Sequence, residues 1–145
     1  MSEAVREWFT AHHEIITDVS TAVFGVEIAT RETFEKATKA QSLTAPTVRA
    51  AFRRIVAEAR ACRDVVDRAL ALPPIPDIDT DVQFRHTMQL QAKWTDTIAD
   101  AATRVDPDTF DRAIKLQRQV AVEGALIMEE LRKAWPDDDP TARKA

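Results

Sequence analysis

Glycine is nearly missing from this chain. Two of its 145 residues are glycine, Gly25 and Gly124, which leaves little material for tight β-turns, hairpins or phosphate-cradling loops. Neither a Walker loop nor a dinucleotide fingerprint can be assembled from two glycines so far apart. Cysteine occurs once, at Cys62, so no internal disulfide and no multi-cysteine zinc site can form. Tyrosine is absent, and there are three histidines, His12, His13 and His86. No window approaches the roughly 18 uncharged apolar residues of a membrane span. The opening MSEAVREWF lacks the basic-then-apolar form of a signal peptide, so the expected location is the cytoplasm. A net charge of −4 argues against generic nucleic-acid binding.

What is present is helical punctuation. LTAP opens a helix at Pro46, and LPPIPDIDT reads as a loop. In VDPDTF, Asp106 is placed to cap a helix, with Pro107 at its first position and Asp108 against its positive end. AWPDDDP stops the last one. Helices are therefore expected over residues 4–40, 46–72, 80–104 and 107–135.

Each segment, projected at 100° per residue, carries one apolar face. The first has Val5, Phe9, Ile16, Val19, Val23, Val26, Phe34 and Ala37, and the second Val48, Phe52, Ile55, Ala59, Cys62, Val66 and Leu70. The third has Phe84, Met88, Trp94, Ile98, Ala102 and Val105. The fourth has Phe110, Ile114, Val120, Ala121, Gly124, Met128, Leu131 and Trp135. The expectation is all-α: a single-domain, up-down-up-down four-helix bundle over residues 1–136 with a long first helix. Residues 137–145 read as a charged, disordered tail.

The stretch AHHEIITD concentrates histidine. His12-His13-Glu14 resembles, in its letters, the motif linked to hemerythrin-like di-iron bundles. That resemblance would imply a site supplied mainly by histidines, but none of the three here has His, Glu or Asp four residues on. Glu-x-x-His, the ligand pair of ferritin-like sites, is also absent, so no metal and no cofactor is expected. His13, Glu14, Ile15 and Thr17 are similar in order to the phospho-accepting segment of sensor histidine kinases. This resemblance would imply a stand-alone phosphotransfer bundle. The chain departs from that pattern at Ile16 and Asp18. His12, at the centre of the apolar stripe, is expected as a buried, hydrogen-bonded core residue.

Antiparallel alignment places Gln91 and Gln117 in one layer with Thr30 nearby. Together with His12 they form the candidate polar core layer or ligand-binding set, and a direct Gln91–Gln117 contact is expected because buried amides need partners. Gly124 is expected to permit close helix approach, the alternative being that it leaves space for a ligand. Arg49, Arg53 and Arg60 share one exposed edge, a place for an anion or an acidic partner. The favoured reading of that stripe is nonetheless a solvated face with pairs such as Arg60–Asp64 and Arg63–Asp67. Asp77, Asp79 and Asp81 lack the glycine and terminal glutamate of a calcium loop, so a helix cap by Asp79 or Thr80 is expected instead. Phe24 and Ile28 lie off the main stripe, one turn apart, and are the candidate interaction surface.

The favoured reading is a non-catalytic helical protein acting through protein–protein association, with a homo-oligomer or protein partner. The alternative is a small-molecule carrier or sensor with its ligand between the helices. Phosphotransfer stands third.

Overall fold

The long first helix expected from the sequence is broken in two. The computed structural model describes residues 2–134, without the side chains of 128 and 130–134, and every described element is an α-helix. Helix α1 spans Glu3–Ala11 and α2 spans His13–Ala40, with His12 between them at φ −112°, ψ 13°. The ladder nearly survives: His12 N–H donates to the Trp8 carbonyl at 3.1 Å, and Ile16 N–H donates to the His12 carbonyl at 3.3 Å. This is a kink, and neither proline nor glycine stands at it. What sets α1 apart is Trp8, whose indole N–H donates to the Pro73 carbonyl at 2.9 Å. Val5, Trp8 and Phe9, spaced i, i+3, i+4, bury the inner face of α1.

The remaining helices are α3 (Pro46–Leu70), α4 (Ile78–Arg104) and α5 (Pro107–Ala134). Proline stands at the start of α3, where its missing N–H costs no hydrogen bond. The cap of α4 is Asp77, two residues before the expected Asp79: its carboxylate accepts from Thr80 N–H at 2.9 Å. The Thr80 hydroxyl and N–H together hold the Asp77 carboxyl below its ordinary value. Asp81 accepts from Ile75 N–H at 3.0 Å and pairs with Arg85. Arg85 in turn donates to the Leu70 and Leu72 carbonyls, so one guanidinium satisfies the orphan end of α3 and anchors the loop. The tail 137–145 and Trp135 lie outside the described residues, as do the side chains of Met128 and Leu131.

Scarce glycine shows at the helix ends. Gln41 ends α2 at φ 50° and Val105 ends α4 at φ 51°, the left-handed region that glycine occupies most easily. Gln41 is exposed, so its side chain offers nothing in return. Gln41→Gly should therefore stabilise the fold by about 1 kcal/mol, read as a higher urea midpoint with unchanged slope.

Packing follows chain order. α2 lies against α3, α3 against α4 and α4 against α5, whereas α2 and α5 are not packed together in that way. Arg54–Glu32 ties α3 to α2, and Arg63 ties α3 to α4 through Asp96. The core runs through Val26, Ile55, Cys62, Val66, Trp94 and Ile98. Two large side chains that helical phase assigns to the core are nonetheless exposed, Phe34 at 41% and Ile114 at 45%. One is on α2 and the other on α5. Both lie where those helices fail to close.

Candidate functional site: the α2–α5 seam

Apolar faces of α2 and α5 meet over α4 without sealing, and α4 forms the floor. At one end Phe34, Phe52 and Phe110 close the seam as an edge-to-face cluster, with ring centroids 5.1 Å apart for Phe34–Phe110 and 6.2 Å for Phe34–Phe52. At the other end Phe9 and Phe84 form the wall, backed by Trp8 at 5.0 and 5.6 Å. Midway, the Gln117 amide donates to the Glu27 carboxylate across the gap. The seam is thereby divided into two cavities.

The cavity between Glu27 and Phe9 measures about 370 Å³ and is lined mainly by hydrocarbon, including Ile16, Val23, Phe84, Met88 and Val120. On its α4 floor the polar residues are Thr87, whose hydroxyl donates to the Gln83 carbonyl, and Gln91. Gln91 is 5% exposed, and its amide makes no hydrogen bond among the described residues while its polar atoms stay open to the cavity. Gly124 also lines this cavity, and a Cβ built there meets nothing within 4 Å. The cavity between Glu27 and the phenylalanine cluster measures about 580 Å³, with Thr30, Trp94 and Ile98 in its lining. Trp94 is 1% exposed and its Nε1–H has no hydrogen-bond partner among the described residues.

Several expectations need correction. Gln91 and Gln117 do not pair: Gln91 faces the floor cavity, while Gln117 reaches across the seam to Glu27. Thr30 does line the cavity on the Gln117 side, but its hydroxyl donates back to the Val26 carbonyl at 2.8 Å. Gly124 borders open space, so it does not serve close packing. His12 is half-buried at the kink, with its ring 4.8 Å from Trp8, and it is no deep core residue. Ile28 is half-buried, while Phe24, 61% exposed, stands at the lip of the cavity lined by Gln91.

Elsewhere the candidate residues stay apart. His13, Glu14 and Thr17 are exposed at the start of α2. His86 stands 3.9 Å from Glu123, which also accepts from Gln83. Arg49, Arg53 and Arg60 border a shallow surface groove beside Ala102 and Val105, and none forms an ion pair among the described residues. The expected Arg63–Asp67 pair is formed at 2.9 Å. Burial pushes the Cys62 thiol up to about 11, so it stays protonated and unreactive. Among the described residues no three His, Cys, Asp or Glu side chains are grouped to hold a metal ion. No described helix is long and apolar enough to cross a membrane.

Two residues of the seam had no place in the sequence reading, Glu27 and the Trp94 indole N–H. Glu27 follows Phe24 by three positions, which sets a carboxylate beside the apolar stripe; that spacing was the available signal. The unpaired indole had none. No family model matches the chain, and no curated protein or solved structure was found to match it.

Proposed function

We propose that the chain is a non-catalytic binding protein, a carrier or sensor. In this reading α2 to α5 form a four-helix bundle with α1 folded over one end, and a small, mainly apolar molecule is held between α2, α4 and α5. The observation that carries it is Gln91: an amide that no described residue pairs with, open to an apolar cavity of about 370 Å³ from a residue otherwise buried in its floor. Ligand sites are commonly concave and apolar, with a few polar groups fixing orientation. Unpaired Trp94 Nε1 beneath the adjoining cavity points the same way. Burying hydrocarbon there is favourable by about 0.8 kcal/mol per CH₂.

Gly124→Phe is the test, because the ring can enter the open space beside the helix. Displacement of a solvatochromic dye should report binding by the wild-type protein and its loss in Gly124→Phe, with helicity unchanged by circular dichroism. Unaltered dye binding in the variant would place the ligand elsewhere and sink the reading.

Self-association is the second reading, and Phe24 at the lip of the seam supports it, with Phe34 and Ile114 exposed along the same opening. A two-fold contact would set this surface against itself. Light scattering at high micromolar concentration separates the two, since a monomer that binds the dye leaves only the first.

A further inference from the structure

We infer that the ligand is electrically neutral: a compact, elongated apolar molecule with one carbonyl, amide or hydroxyl group directed at Gln91. This rests on the reading of the seam as a ligand site and adds its chemical class. Among the described residues the lining of the Gln91 cavity contains no lysine, arginine or histidine, and its one charged side chain is the Glu27 carboxylate. An anionic ligand would be stripped of water with no cation to meet it, and would feel Glu27 as well. A cationic head has only Glu27, at the boundary of the cavity and already engaged by Gln117. With the Thr87 hydroxyl engaged by the Gln83 carbonyl, the polar group open on the floor is Gln91, a neutral amide that both donates and accepts. A primary amide can answer both halves, and an alcohol can answer one.

Size narrows the class further. The cavity is roughly two and a half times the 150 Å³ that accommodates benzene. Its α2 wall runs from Ile16 to Glu27, which is about 16 Å at 1.5 Å per residue. An elongated molecule of about ten non-hydrogen atoms fits both dimensions.

Isothermal titration of the full chain at neutral pH with octanol, octanamide, octanoate and octylammonium tests the class. The neutral pair should bind at least tenfold more tightly than either ion. Glu27→Gln, which keeps an acceptor for Gln117, should bring octanoate closer to octanol. Gln91→Leu should weaken octanamide about tenfold while leaving toluene binding unchanged, and Gln91→Met serves if the leucine variant loses helicity. Octanoate or octylammonium binding as tightly as octanol overturns neutrality and leaves the seam standing as a ligand site. An octanamide affinity insensitive to both Gln91 variants removes Gln91 from the inference. Silence from all four probes and from toluene overturns the inference and the ligand-site reading together.

Discussion

Trp94→Ala should cost about 3–5 kcal/mol, whereas Trp94→Phe should stay within about 1 kcal/mol of the wild type. The indole is 1% exposed, in the middle of α4. Truncation to alanine would enlarge the cavity of about 580 Å³ that it already borders, and packed neighbours collapse only partly into such space. Phenylalanine also gives up ring area, but it removes an Nε1–H that has no partner among the described residues. An unsatisfied buried donor costs about 1–3 kcal/mol, which offsets much of the lost packing. Urea denaturation of the two variants decides it. Equal losses would show that the indole N–H is satisfied in solution, and the case for an unpaired donor would end there.

Trp8→Ala should cost a similar ~3–5 kcal/mol and should also release α1 from the rest of the chain. A nine-residue helix is not stable alone in water, so α1 depends on docking Val5, Trp8 and Phe9. Trp8 holds it at two points: the hydrogen bond to the Pro73 carbonyl and the edge contact with Phe84. Hydrogen exchange should show the amides of α1 losing protection in Trp8→Ala well before those of α3. Trp8→Phe, which loses the hydrogen bond and some ring area but keeps an aromatic side chain beside Phe84, should cost less, about 1–2 kcal/mol. Protection of α1 undiminished in Trp8→Ala would mean that Val5 and Phe9 suffice. Phe9 also walls the cavity lined by Gln91, so a freed α1 would leave that cavity open at one end.

The helices were legible because periodicity and punctuation are local. Pro46, Pro107 and the apolar stripes place α3 to α5 within two residues of their observed bounds. The kink at His12 was not legible, since it accompanies an anchor whose partner, Pro73, lies 65 residues from Trp8. Periodicity also states which face of a helix is apolar, and is silent on how near the facing helix comes. Phe34 and Ile114 were therefore assigned to a core that α2 and α5 do not complete. Alignment put Gln91 and Gln117 in one layer, whereas they line different cavities. A wider seam leaves Gln117 closer to Glu27, so the expected amide pair is replaced by an amide–carboxylate bond.

Chain-order packing has a kinetic consequence. When spatial neighbours are also neighbours along the chain, each helical hairpin closes a short loop, and contact order stays low. Such topologies fold in microseconds to milliseconds. The most expensive closure would be that of α2 onto α5, because Glu27 and Gln117 are 90 residues apart and closure entropy grows with loop length. By leaving that junction mostly unpacked, the chain avoids placing its longest-range contact on the route to the native state.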